Sequence, residues 1–293
     1  MHQYLRAIGF SSITSKKQLN SLLDDVINHA DEKNYVEIDQ ESVLVEYVKE
    51  YANSMGIVVR GEFDDAEQFS LDFYYPICRG VHISTEEDIA IERHAEKESY
   101  AGACDDIKIG VSLIFYLQNT IDYLKNRKIN KRNKYNSDVI FTGLSIQGKI
   151  MLPINKNEKD KNRIKKASKN RYHLLAAARR GDEDAIESLT LEDIDTYTTI
   201  SRKILKEDVF TLVDSYFMPY GVECDQYSVL GEIEDVETVV NKYTNEKVYL
   251  ITLNCNEILL DISINKKDLL GEPMVGRRFK GVLWMQGKVD FNV

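Results

Sequence analysis

Apolar residues near the start of the chain recur at helical spacing. Leu19, Leu22, Leu23, Val26 and Ile27 fall at i, i+3, i+4, i+7 and i+8, which predicts one amphipathic helix over 16–30, capped by Thr14 or Ser15. His29 lies off that stripe and reads as solvated. From Tyr35 to Gly80 the period shifts to two: GIVVRGEF (56–63) and FSLDFYYPI (69–77) flank a polar DDAEQ turn and read as a hairpin. VLVEYVKEYA (43–52) fits either period, since Leu44, Tyr47, Val48 and Tyr51 suit a helix while Val43, Val45 and Tyr47 suit a strand. Next comes a charge-dense run, IAIERHAEKESYAGACDD (89–106), followed by the longest apolar run, IGVSLIFYL (109–117). With Asp105 and Asp106 supplying turn chemistry, the two runs read as a long hairpin. A helix at about 120–128 and a strand in SDVIFTGLSIQGKIMLPI (137–154) complete this half. Its connections are mostly too short for parallel crossovers, so the fold class expected for residues 1–154 is α+β, with a largely antiparallel sheet and flanking helices.

Residues 155–173 are almost free of apolar side chains and read as a solvated helix or a linker. Beyond them Gly181 is placed to end one helix, Asp182 to cap the next and Thr190 to cap another, with helix to about Phe217 before Pro219 and Gly221. This gives a helical connector over 155–222. The remainder, 223–293, reads as strands QYSVLGEIEDVETVVN, KVYLITLN, EILLDISI, RRFKGVLWMQG and KVDFNV, with a short helical INKKDLLG between the third and fourth. That order predicts a small OB-like barrel, with an SH3-like barrel as the alternative. Phe279, Val282, Phe291 and the single tryptophan, Trp284, are candidates for its core.

Composition narrows the class. A chain of 293 residues with 43% apolar and 29% charged residues is globular in character and long enough for two or three cores. No apolar run approaches a membrane span, and MHQYLRAIGFSS has no signal-peptide pattern, so a cytoplasmic location is expected. The four cysteines, Cys78, Cys104, Cys224 and Cys255, form no CxxC and read as reduced thiols. The net charge of −10 is unevenly spread: residues 125–171 hold 15 Lys and Arg against 3 Asp and Glu, leaving 23 basic and 45 acidic side chains elsewhere. Such a basic segment suits phosphate contacts and single-stranded nucleic acid. That partner is not favoured, because Tyr135, Phe141 and Tyr172 are its only aromatics from 125 to 172 and the barrel stretch is itself net acidic.

The candidate chemistry lies at 89–106. As a strand, the run puts Glu92, His94, Glu96, Glu98 and Tyr100 on one face; as a helix it pairs His94 with Glu98 and Glu92 with Glu96. The apolar strand that follows favours the first. His94 with Glu92, Glu96 and the nearby Asp106 offers donors for Zn²⁺, Mn²⁺ or non-haem iron, although there is no HExxH and only His82 stands near. Glu92, Glu96 and Asp106 also suit a solvated sheet face, so the cofactor stays open. GLSIQGK (143–149) matches a phosphate-loop pattern, but Ile150 occupies the Ser/Thr position and Pro153 falls where its helix should run. Cys104, beside two aspartates, is expected to have a raised pKa and to be inert.

The opening HQYLRAIGF, the phrases ERHAEKESYAGACDD and GVSLIFYLQN, the helical LTLEDIDTY and MPYGVECDQYSVLGEI together resemble a domain-of-unknown-function family of anaerobic Gram-positive bacteria. The resemblance spans essentially the whole chain. It implies a bacterial protein and carries no activity or site residues with it. The expectation is therefore a non-enzymatic interaction or regulatory protein, with a metal-dependent hydrolase built on His94 and single-stranded nucleic-acid binding through 125–171 as alternatives.

Overall fold

A computed structural model of the chain describes residues 1–38, 43–63, 68–93, 99–106, 108–109, 111–130, 134–154, 158–204 and 209–291. After a 3₁₀ helix, Gln3–Ile8, comes α1, Lys16–Asn28, which buries Leu22, Leu23 and Val26. Ser15 is its N-cap, in a reciprocal capping box with Gln18. Four strands then form an antiparallel meander: β1 (Glu32–Glu37), β2 (Val43–Ala52), β3 (Met55–Phe63) and β4 (Phe69–Cys78). The ambiguous 43–52 stretch is thus a strand. It is buried on both faces, so apolar residues appear at both helical and strand spacing.

The charged run does not form one strand to Tyr100. β5 (Asp88–Arg93) ends at Arg93, and β6 (Tyr100–Cys104) runs back antiparallel along it with Arg93 opposite Tyr100. Ile89 and Ile91 anchor β5 in the core. β7 (Leu113–Leu117) pairs with β6, and α2 (Thr120–Asn130), β8 (Lys134–Asn136) and β9 (Val139–Met151) follow.

The helical segment is a hairpin of α3 (Glu158–Arg179) and α4 (Glu183–Ile204). Gly181 at φ +87° makes the break, and Asp182 caps α4 through the Ala185 N–H. Thr190 caps nothing: its hydroxyl donates back to the Ile186 carbonyl and α4 continues through it. After the short α5 (Val209–Leu212) the chain is extended in β10 (Tyr216–Pro219), where sequence favoured helix to about Phe217.

β11 (Gln226–Val240), β12 (Lys247–Cys255), β13 (Ile258–Asn265) and β15 (Arg278–Val289), with the two-residue β14 (Leu269–Leu270), complete the chain. β11, β12, β13, β9 and β15 pair in that order, and β15 pairs again with β11, closing a five-stranded barrel. KVDFNV is not a separate strand, because β15 runs unbroken to Val289. The fifth stave is β9, from before the helical segment, lying parallel to β13 and antiparallel to β15. The architecture is α+β: an N-terminal antiparallel sheet with helices, a helical segment and a closed barrel.

Two main cores result. One fills the barrel and runs on under β5 to β7, with Phe115, Phe141, Phe279 and Phe291. The other lies between the first sheet, the N-terminal helices and the barrel's outer wall, where Leu144, Val239, Val248 and Trp284 project. Trp284 therefore joins the two bodies instead of filling the barrel. Its ring stacks on Tyr4 at 5.4 Å and lies 4.8 Å from His2, and its indole N–H donates to Asp225 at 2.7 Å.

Burial beside this cluster, and then the adjacent chain terminus, lowers the His2 pKa from 6.5 to about 4. As pH falls below 6.5 the unfolded chain takes up a proton that the folded one refuses until about pH 4. Stability contributed by neutral His2 is therefore present above 6.5 and lost through that window, by about 3 kcal/mol. Melting temperatures measured from pH 7 to 4 will fall less steeply for His2→Phe than for the natural chain.

Candidate functional site

Where the first sheet faces β7, α2 and β15, a cavity of about 310 Å³ remains open. Period-two geometry places Asn34, Glu46 and Val58 on one face of the sheet, with Glu32 opposite Val48 and Glu46 opposite Arg60 in register. The opposite wall brings Gln118, Ile121, Asp122 and Lys288.

A buried ion pair stands at the cavity wall. Arg60 is fully buried and Glu46 is 4% exposed; the guanidinium Nε donates to Glu46 Oε1 at 2.6 Å, and Nη2 donates to the same oxygen. Arg60 also lies over the Phe73 ring at 4.9 Å and the Tyr75 ring at 5.7 Å. Burial, the largest influence, lowers the Arg60 pKa, but the Glu46 carboxylate together with Tyr116 and Tyr75 outweighs it and the guanidinium stays charged. Burial pushes the Tyr116 hydroxyl up to about 12, so it is neutral. Arg79, at the rim, donates to Glu32 at 2.7 Å and to Glu50 at 3.1 Å. Beneath the cavity Gln118 donates to Gln286 at 2.8 Å and to the Cys78 carbonyl at 2.8 Å, and Gln286 donates to the Pro76 carbonyl, so amide bonds tie the first sheet to the barrel.

Glu92 and Asp106, two of the residues singled out by sequence, do not line this cavity. Glu92 is exposed on β5; Asp106 is buried and accepts from the Thr85 hydroxyl at 2.8 Å and the Lys108 N–H at 2.8 Å. Ala101 opposes Glu92 while Cys104 opposes Ile89, so Glu92 and Asp106 sit toward opposite ends of the β5–β6 ladder. His94 and Glu96 lie outside the described residues. Among the described residues no three His, Cys, Asp or Glu side chains are placed to hold a metal ion. His82 pairs instead with Asp261, Nδ1 to Oδ1 at 3.1 Å, and Asp261 also accepts from the Val81 N–H and the Thr252 hydroxyl. The nearby Cys78 thiol is pushed up to about 12 by burial and then by Asp261, the wrong direction for a nucleophile. Cys104 is likewise raised to about 12, by burial first and Asp106 second.

A family model described as "Domain of unknown function, E. rectale Gene description (DUF3881)" matches residues 5–287. The chain belongs to this family. The match runs from the 3₁₀ helix to the last barrel strand, so the family's domain includes the first sheet, the helical hairpin and the barrel together. No curated protein and no solved structure gives a significant match. Among the described residues no helix is long and apolar enough to cross a membrane.

Proposed function

We propose that this member of the family is a non-enzymatic cytoplasmic interaction protein, that the α3–α4 hairpin is its docking element, and that a second copy of the chain is its first partner. The observation carrying this reading is the surface of α4. Ile186, Ile194 and Tyr197 are 47%, 57% and 76% exposed. At 100° per residue they fall within about a quarter-turn of one another. The hairpin packs chiefly on itself, burying Ala185 and Leu189 and leaving that apolar strip in solvent.

Charge supplies the complementarity. α3 carries eight Lys and Arg against two acids, while α4 carries six Asp and Glu against two bases. Within one chain Arg171 already reaches Asp193 at 2.7 Å and Glu192 at 3.5 Å. Two hairpins related by a two-fold axis would set each α3 against the other's α4 around the apolar strip. These acids also offset part of the positive charge that nucleic acid would need.

Sedimentation velocity over a concentration series tests the proposal. The natural chain is expected to dimerise, more weakly as salt rises, and Ile194→Asp with Tyr197→Asp to be monomeric at every concentration. A natural chain that stays monomeric, or a double variant that dimerises equally well, overturns it.

A further inference from the structure

The cavity between the first sheet and the barrel has no part in that reading, and its wall carries both signs of charge. An ion pair buried as deeply as Glu46–Arg60 gains little stability over apolar residues of equal volume. Its place beside an open polar cavity is therefore better suited to binding than to holding the sheet. Both guanidinium hydrogen bonds to Glu46 fall on its Oε1, and Nη2 also reaches the Tyr75 hydroxyl at 3.4 Å. Lys288 and Asp122 line the cavity as well, Asp122 accepting from the Asn119 amide at 3.3 Å and Lys288 lying near enough to Glu32 to join Arg79 in lowering its pKa. Arg79, occupied on one nitrogen by Glu32 and Glu50, has further N–H donors at the same rim.

We propose that the cavity walled by Glu46, Asp122, Arg79 and Lys288 is a binding site for a small zwitterion of the α-amino-acid type. The carboxylate would lie against Lys288 and the remaining Arg79 donors, and the ammonium against Asp122 and Glu46 Oε2. Val48, Val58, Ile77 and Ile121 provide apolar wall for a side chain. The volume of about 310 Å³ is at the small end of ligand pockets, which suits a single amino acid.

Isothermal titration calorimetry with each protein amino acid, and with sodium acetate and methylammonium chloride as single-charge controls, tests the site on the full chain. At least one amino acid is expected to bind with one-to-one stoichiometry, and neither control to match it. Lys288 and Asp122 are exposed, so Lys288→Glu and Asp122→Asn will keep the fold, which circular dichroism checks. Lys288→Glu is expected to weaken binding by about tenfold or more. Acetate binding as tightly as any amino acid overturns the zwitterion assignment. Affinity unchanged in both variants places the ligand elsewhere, and no binding by any amino acid removes the proposal. Because the readout is binding by one chain, none of these outcomes depends on whether the α3–α4 hairpin dimerises.

Discussion

Arg60→Met will destabilise the protein by about 3–5 kcal/mol, and adding Glu46→Met will recover most of that loss. The single substitution leaves the Glu46 carboxylate, 4% exposed, inside the protein without its guanidinium. Removing both charges replaces a desolvated ion pair by apolar volume, which costs little. Urea unfolding followed by circular dichroism on the natural chain, both single variants and the double variant gives the coupling energy directly. A single-variant loss below about 1 kcal/mol would show that water reaches the pair freely and that its burial is not an energetic fact. The double variant has a second use: it should fold yet fail to bind any amino acid that the natural chain binds.

That pair also shows where sequence reading stops. The pattern of 43–52 leaves helix and strand open, and nothing in it marks Glu46, between Leu44 and Val48, as a buried charge. Only the register, with Glu46 opposite Arg60 on β3, reveals that the strand is covered on both faces and that the charge is paired. Elements with a strong local pattern were legible: α1 has its stripe and its Ser15 cap, and β3, β4, β12 and β13 lie where their apolar and β-branched runs put them. Elements defined by distant partners were not. β9 is recognisable as a strand, but its neighbours are β13 and β15, more than a hundred residues onward, and nothing local says that it closes a barrel. The cavity is harder still, since its wall draws on positions 32, 46, 79, 118, 122 and 288 with no spacing to detect. His82 and Asp261, 179 residues apart, were missed for the same reason.

Trp284→Ala will cost about 3–5 kcal/mol, and most of that loss will fall on the first sheet and not on the barrel. The indole lies on the outside of β15, against Tyr4 at 5.4 Å and Tyr116 at 5.5 Å, in the core shared by the N-terminal helices, β2 to β4 and the barrel wall. Truncation there leaves a void that neither a rigid barrel nor a sheet anchored through Gln118 and Gln286 can close by moving. The barrel's own interior, led by Phe141 and Phe279, is untouched. Amide hydrogen exchange should therefore show protection falling in β2 to β4 while β11 to β13 keep theirs, because the variant separates two cores that otherwise unfold together. Trp284→Phe preserves most of the ring contact and gives up only the hydrogen bond to Asp225, so its loss should be about 1–3 kcal/mol. If Trp284→Ala instead lowers protection evenly across both cores, the molecule is one cooperative unit and the tryptophan is an ordinary member of it. The uneven result would mean that the wall between first sheet and barrel, where the amino-acid cavity also opens, is the weakest plane in the fold. A ligand bridging that plane would then stabilise the whole chain by holding its two bodies together.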